Sequence, residues 1–318
     1  MKRPLEATPL KLITRNSPLA LWQAEWVQQK LQAAGLLVEI IGIETTGDKR
    51  LEVTLSKIGD KGVFTQELEA RLLTGDVHLA VHSAKDMPSR LPKGLEIVAF
   101  TEREEPMDVL VSPDPELRLS NVKVLGTSST RRVATLARYF EKIKTVSVRG
   151  NLQTRIRKME EGACEGLILA YAGVHRMGFS EMIRERLPLS VFTPAVGQGS
   201  LAIEISSELD PEHKSKIRAA LNHPSTELCL LAERAFLRQM DGGCSIPVFG
   251  YAHFTEDGNL LIQGGIVSLD GCEEVRKFKL KHCISSAEAI EAGKELAQQI
   301  LNEGGREILQ KIKQHLQP

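Results

Sequence analysis

Three short runs in this chain hold residue types that could do chemistry. In Asp241-Gly242-Gly243-Cys244-Ser245-Ile246-Pro247 a thiol stands on a two-glycine hinge. Glycines tolerate backbone angles that a side chain would forbid, so another group can approach the sulfur closely. Pro247 biases Ile246 toward an extended conformation and stiffens the exit. In His82-Ser83-Ala84-Lys85-Asp86-Met87-Pro88 a carboxylate follows an apolar run of strand length. Strand ends in α/β layers are common ligand sites, and an aspartate there can hold a developing cation. In Gly126-Thr127-Ser128-Ser129-Thr130-Arg131-Arg132 a turn rich in hydroxyls feeds a helix start. Backbone N–H groups at such a start favour anions. Each run also has a purely structural reading: a helix C-cap, a capping aspartate or a Lys85–Asp86 pair, and a helix N-cap.

The arginines tilt the balance toward a ligand. Arg131 and Arg132 stand in a first helical turn, where the helix dipole disfavours cations. Arg15-Asn16-Ser17 makes a similar turn near the start, and Arg149 and Arg155 flank a third at Gly150-Asn151. Guanidinium forks match carboxylates and phosphates in bidentate geometry. From Asn121 to Met159 there are ten Lys or Arg against one acid, Glu141, in a chain whose totals balance at 41 basic and 41 acidic residues. Arg138, Lys142, Lys144 and Arg157 read as solvated helix faces. The others sit at element junctions, where side chains converge on clefts. Together these turns point to a multiply anionic ligand.

Other motifs fail on inspection. Gly42-Ile43-Glu44-Thr45-Thr46-Gly47-Asp48-Lys49 has Asp48 before the lysine and Arg50 where a phosphate loop needs Ser or Thr. Gly197-Gln198-Gly199 lacks the third glycine of a dinucleotide fingerprint. His78 and His82 have zinc-like spacing without a third ligand. The five cysteines are scattered with no CxxC pair, which argues against a disulfide framework and a zinc ribbon. No apolar run approaches a membrane span, and no apolar signal core follows the basic start, so a cytoplasmic protein is expected.

The elements that must position these residues alternate. Leu10–Ile13 reads as a strand, and Asn16-Ser17-Pro18 caps a helix that runs to Gly35. Val38–Ile43 reads as a buried strand, residues 45–62 as a long mobile connection, Thr65–Leu73 as a helix, and Val77–Val81 and Leu95–Phe100 as strands. The grammar then repeats: strands at Val122–Leu125, Thr145–Val148 and Leu167–Ala170, helices at Thr130–Tyr139 and Leu152–Glu161, and a returning strand at Leu201–Ile205. Such alternation implies α/β layers. The remainder differs, with a helix at Thr226–Gln239, strands at Val248–Phe254, Leu260–Ser268 and Glu273–Leu280, and a helix opened by a Ser285/Glu288 capping box. At 318 residues, 42% apolar and 26% charged, the chain has ample core for two or three domains.

The ordered motifs Arg15-Asn16-Ser17-Pro18-Leu19-Ala20, Lys61-Gly62-Val63-Phe64, Val81 to Pro88, Gly126 to Arg132, Arg149-Gly150-Asn151, Pro194-Ala195-Val196-Gly197-Gln198-Gly199 and Gly242 to Pro247 span nearly the whole chain. In them the sequence resembles the porphobilinogen deaminase family, also called hydroxymethylbilane synthases. It departs from the family pattern at Ala84, Met87, Thr130 and Thr193, none of which removes a charged or nucleophilic position. The resemblance implies an α/β fold: two periplasmic-binding-protein-like α/β lobes and a small C-terminal α+β domain. The expected divisions are 1–103 with 200–221, then 104–199, then 222–318. It implies a transferase of tetrapyrrole and haem biosynthesis. Four porphobilinogen molecules are joined head to tail with loss of ammonia on a covalent dipyrromethane primer, and hydrolysis then releases hydroxymethylbilane.

By the same resemblance Cys244 holds the dipyrromethane through a thioether, and Asp86 is the catalytic carboxylate, held against the pyrrole nitrogens. Cofactor contacts fall to Asp86, Lys85, Ser83, Thr127, Ser129, Arg131, Arg132 and Gly150. Substrate contacts fall to Arg15, Ser17, Gln23, Arg149, Arg155, Arg176, Gln198, Lys57, Lys61 and Phe64. The expected partner is porphobilinogen alone, with no metal, nucleic acid or membrane, and the expected state is a monomer. Each pyrrole carries an acetate and a propionate, so a growing chain is a polyanion that suits fixed guanidiniums. Three other readings compete. A solute-binding protein of bilobal fold has no need of Cys244 on a separate domain. A nucleic-acid binder would want aromatic stacking platforms, for which residues 121–159 offer only Tyr139 with Phe140 beside it and no recognised module. A cysteine hydrolase would place its thiol at a helix N-terminus, not after one.

Overall fold

The computed structural model describes residues 8–45, 65–243, 245–282 and 285–316. In chain order the elements are β1 (Leu10–Arg15), α1 (Pro18–Ala33), β2 (Val38–Ile43), α2 (Gln66–Leu73), β3 (Leu79–Ser83), β4 (Leu95–Phe100), β5 (Asp108–Val111), β6 (Val124–Gly126), α3 (Thr130–Tyr139), β7 (Lys144–Val146), α4 (Leu152–Glu160), β8 (Gly166–Ala170), α5 (Tyr171–Arg176), β9 (Ile183–Arg186), β10 (Leu201–Ser206), α6 (Pro211–Leu221), α7 (Pro224–Gln239), β11 (Val248–Phe254), β12 (Leu260–Val267), β13 (Glu274–Lys281), α8 (Ser286–Ile300) and α9 (Arg306–Leu316).

The strands form two five-stranded sheets and one three-stranded sheet. The first is ordered β2-β1-β3-β10-β4, with β1 parallel to β2 and β3 and with β10 antiparallel to both neighbours. The second is ordered β7-β6-β8-β5-β9, with the same pattern: three parallel strands, then a crossing strand antiparallel to both neighbours. The crossing strands β10 and β5 follow the two segments that pass between the lobes. The third sheet is the antiparallel meander β11-β12-β13, covered by α7 and α8. Two α/β lobes and a small α+β domain are therefore present, as the alternation of the sequence implies.

Local chemistry sets the starts and stops. The Ser17 hydroxyl caps α1, with Pro18 in its first turn. Asn151 caps α4 by accepting from Thr154 N at 2.9 Å. The Ser285/Glu288 box closes with Ser285 Oγ donating to Glu288 Oε2 at 2.8 Å. Two expectations shift. β2 is the sheet edge, so of its residues only Val38 is buried, although the run is apolar. β3 runs two residues further than its apolar stretch, so His82 and Ser83 close the strand instead of opening the loop. Backbone pairing with Leu201 and Ala202 carries it on.

Candidate functional site

The Asp86 turn grows directly out of β3. Residues Ala84–Asp86 make a single 3-10 turn in which Ala84 N donates to Ser200 O at 2.9 Å. Ala84 and Met87 are buried against the C-terminal domain, in one apolar cluster with Phe236, Met240 and Val248. Lys85 and Asp86 are turned the other way. Asp86 is exposed, and among the described residues its carboxylate has no hydrogen-bond or ion-pair partner. It lines one pocket with Arg15, Ser17, Gln23, His82 and Ser83. Gln23 Nε2 donates to Ser83 Oγ at 3.0 Å, which ties α1 to the end of β3. Five of the predicted residues thus share one wall on the first lobe.

The facing wall belongs to the second lobe. β6 delivers the turn before α3, whose N-terminus has no side-chain cap. Ser128 Oγ is engaged by Val148 O at 2.9 Å and lies 3.0 Å from Ser147 Oγ. Arg131 and Arg132 follow, only 5% and 6% exposed. Both reach one carboxylate, Asp108 at the head of β5. Arg131 Nη2 lies 2.8 Å from Oδ2, and Arg132 Nη2 lies 2.7 Å from Oδ1. Arg131 Nη1 also donates to Thr193 O, and Arg132 Nη1 to Ile168 O. Asp108 is wholly buried. Burial alone would raise its pKa, but Arg131 and Arg132 outweigh burial and hold it well below the carboxylate range. The Nε atoms of both arginines are buried without a partner. Such orphaned donors call for an acceptor that the protein itself does not supply.

Arg155 stands differently. Its Nε donates to Gly150 O at 2.8 Å, and among the described residues no carboxylate pairs with it. Burial pulls it down to about 10, with Arg132 and Arg149 pulling the same way and Asp86 opposing. Gly150 adopts φ +116°, and a Cβ there would come within 2.7 Å of Thr154 Cγ2, so glycine is required to bring the turn onto α4.

Between the walls lies the hinge. Gln198 Nε2 donates to Pro106 O at 2.6 Å and to Asp108 Oδ1 at 2.9 Å, while Lys85 Nζ lies 3.4 Å from Gln198 Oε1. One amide therefore touches both walls. Burial draws Lys85 down to about 8, with Asp86 opposing. Behind the hinge Glu233 accepts from Arg103 Nη1 at 2.6 Å, from Gly197 N at 2.7 Å and from Ala252 N at 2.8 Å. Arg176 donates to Gly199 O at 2.8 Å and stacks on Trp22, so it sits at the hinge and not beside Asp86. A larger cavity, 370 Å³, lies behind Arg103 against Tyr251 and His253 and contains none of the predicted residues.

Not every expectation meets this geometry. Cys244, Lys57, Lys61 and Phe64, with most of the 45–62 connection, lie outside the described residues. Arg138 is exposed, as expected, but it also donates to Glu274 Oε2 at 2.9 Å and to Gly271 O at 3.0 Å, joining α3 to the C-terminal domain. The histidine pair is split between separate bonds. His78 Nδ1 accepts from Lys11 N, and His82 Nε2 lies 3.1 Å from Glu204 Oε2. The residues that sequence reasoning missed are Asp108, Arg103, Glu204 and Glu233. The available signal was acids inside or at the head of apolar runs, as in Asp108-Val109-Leu110-Val111 and Leu201-Ala202-Ile203-Glu204-Ile205.

Comparison with known proteins bears on this arrangement. Residues 10–214 match a family model described as porphobilinogen deaminase, dipyromethane cofactor binding domain, and residues 227–302 match porphobilinogen deaminase, C-terminal domain. The chain is 53% identical over 309 residues to a porphobilinogen deaminase of Cytophaga hutchinsonii, covering 96% of this chain and 98% of that one. It is 47% identical over 308 residues to one from Desulfosudis oleivorans, again covering 96% and 98%. Among solved structures, the VFT2 domain of Bordetella pertussis BvgS aligns at 18% identity with a TM-score of 0.41, over 66% of this chain and 85% of that one.

Proposed function

The chain belongs to the porphobilinogen deaminase family, and from that premise we propose how its own residues perform the reaction. The enzyme carries a dipyrromethane cofactor, joins four porphobilinogen molecules head to tail with loss of ammonia, and releases hydroxymethylbilane by hydrolysis. The protein fits that group. Two buried guanidinium Nε atoms lack partners, α3 opens without a side-chain cap, and Lys85 stands half-buried beside them. Acetate and propionate groups are the acceptors such donors require. When bound, the dipyrromethane supplies the pyrrole carbon to which the first substrate unit is joined.

Cys244 is the attachment point, supported by its two-glycine hinge. Lys85, Ser83, Thr127, Ser129, Arg131, Arg132 and the Gly150 backbone hold cofactor carboxylates. Arg15, Ser17, Gln23, Arg149, Arg155, Arg176 and Gln198 receive or align the substrate chain, and Lys57, Lys61 and Phe64 belong to the same set. Asp86 does the chemistry by charge. As ammonia leaves porphobilinogen, a methylene-pyrrolenine cation forms, and a carboxylate at the pyrrole nitrogen stabilises it. Electrostatic help of this kind is typically worth about 3–4 kcal/mol. The observation that carries the reading is the exposed, unpartnered Asp86 carboxylate opposite a wall of buried guanidiniums. Peptide mass spectrometry tests it. Purified enzyme should carry two linked pyrroles on Cys244, and brief exposure to porphobilinogen should add further pyrrole units to that same peptide. An unmodified Cys244 in active enzyme would refute the assignment.

The divisions 1–103 with 200–221, 104–199 and 222–318 are supported by the grouping of strands into three sheets. We propose a cytoplasmic monomer without nucleic-acid partners; the last is supported by basic residues at element junctions rather than along one continuous face. Among the described residues no helix is long and apolar enough to cross a membrane. Steeply salt-dependent DNA binding, weakened by Arg149 and Arg155 substitutions, would contradict this part.

A further inference from the structure

We infer that Arg234 is a positioning residue for the Asp86 turn, holding the catalytic carboxylate in register with the helix that leads to Cys244; this rests on the role proposed for Asp86. The turn does little to hold itself. Its internal bond, Met87 N to Ala84 O, is 3.3 Å long, at the weak end of the range. It depends on outside ties, and two of them come from consecutive residues of α7. Glu233 accepts from Gly197 N, and Gly197 packs on the peptide between Ala84 and Lys85, where a Cβ would approach Ala84 C to 2.8 Å. Arg234 Nη2 donates to Pro88 O at 2.8 Å, two residues beyond Asp86. The dipeptide therefore brackets the turn on both flanks, and α7 ends only five residues before Cys244.

Arg234 shares with Arg155 and Arg176 a half-buried guanidinium bonded to a backbone carbonyl, but it alone of the three is bonded beside the Asp86 turn. Arg103, Arg131 and Arg132 each have a carboxylate at 2.6–2.8 Å. Arg234 has no ion pair among the described residues, and its bond goes to a carbonyl. Burial draws it down to about 10, with Arg238 adding to the fall and Glu204 opposing it. Glu204 is itself engaged by His82, the residue before Ser83. A half-buried guanidinium placed on a carbonyl, with no carboxylate to pair it among the described residues, gains little for stability alone. Fixing the backbone around Asp86 accounts for it, since misplacing a reacting group by about 1 Å can cost on the order of 100-fold in rate.

Single-turnover elongation by Arg234→Gln, with cofactor occupancy read by intact mass, tests this. The expected result is a loss of about tenfold in rate with little change in KM. Arg234→Lys, which restores a donor, should recover most of the rate. Hydrogen exchange should quicken at amides 85–87 in Arg234→Gln and stay unchanged in β1 and β6. In an Asp86→Asn background the same substitution should cost less than about twofold, because residues acting through one group are not additive. Four results would overturn the inference: a wild-type rate in loaded Arg234→Gln, a raised KM with unchanged kcat, an equal loss in the Asp86→Asn background, or unaltered exchange at 85–87. If Arg234→Gln does not fold, Arg234→Met, which keeps the stem packing, takes the same tests. Asp86→Asn alone separates the readings. A normal rate there removes the role of Asp86, whereas a slow Asp86→Asn beside a normal Arg234→Gln removes only that of Arg234.

Discussion

The two lobes share one strand order, yet each uses its aspartate in the opposite way. In the second lobe Asp108 is wholly buried and spends both oxygens on Arg131, Arg132 and Gln198. In the first lobe Asp86 is exposed and, among the described residues, unpartnered. A buried carboxylate with two guanidiniums is a fixed scaffold whose charge is already answered. An open one retains its charge, and in the role we propose that charge answers a cation that exists only during reaction. The arginines divide along the same line: Arg131 and Arg132 share Asp108, whereas Arg155 has no carboxylate partner among the described residues and, in the role we propose, meets the substrate.

If that contrast is right, the largest effect on stability belongs to Asp108. Asp108→Asn leaves two guanidiniums buried without their counter-charge and should cost about 3–5 kcal/mol, read by denaturant unfolding. Retention of full stability would mean that the wall does not depend on this carboxylate. Asp86→Asn should do the reverse, leaving the unfolding midpoint nearly unchanged while cutting single-turnover elongation by a factor on the order of 100 or more. Asp86→Glu keeps the charge but misplaces it, so its loss should be smaller. A cofactor-loaded Asp86→Asn enzyme that elongates at the normal rate would make the carboxylate structural.

The arginines sharpen the contrast at a smaller scale. Arg155→Leu should weaken substrate loading by about tenfold, the worth of one charge-assisted hydrogen bond, without lowering stability. Arg132→Leu should lower both, because it also strips Asp108 of a partner. A matched loss of stability in the two variants would erase the distinction between arginines with and without a carboxylate of their own.

Lys85 supplies the smallest effect, visible in cofactor-free protein. Its folded pKa of about 8 lies below the ordinary 10.5. Between those values the unfolded chain binds the proton and the folded chain does not, so stability should rise with pH across that window. Amine acylation of the Lys85 peptide, followed by mass, should show a midpoint near 8, well before the surface lysines react. A midpoint near 10.5 would show that the side chain is hydrated and free.

Much of this was legible in the residues themselves. Turn chemistry placed the Asn16-Ser17-Pro18 cap of α1 and the Ser285/Glu288 box of α8, and period and turn signals gave the strand–helix alternation and the separate meander. These are local effects, decided within a few residues by backbone sterics and capping. The motifs at Asp86, Arg131 and Gly150 were legible for the same reason. The organising acids were not. Asp108 meets Arg131 and Arg132 from 23 and 24 residues away, Glu204 meets His82 from 122, and Glu233 meets Arg103 from 130. Nothing within a few residues of these acids announces such partners. Each pairing exists because a strand order brings a crossing strand or a third domain against the hinge. An acid in an apolar run signals only that burial must be answered, and the tertiary fold decides by which cation, since charge pairing acts through space and not along the chain.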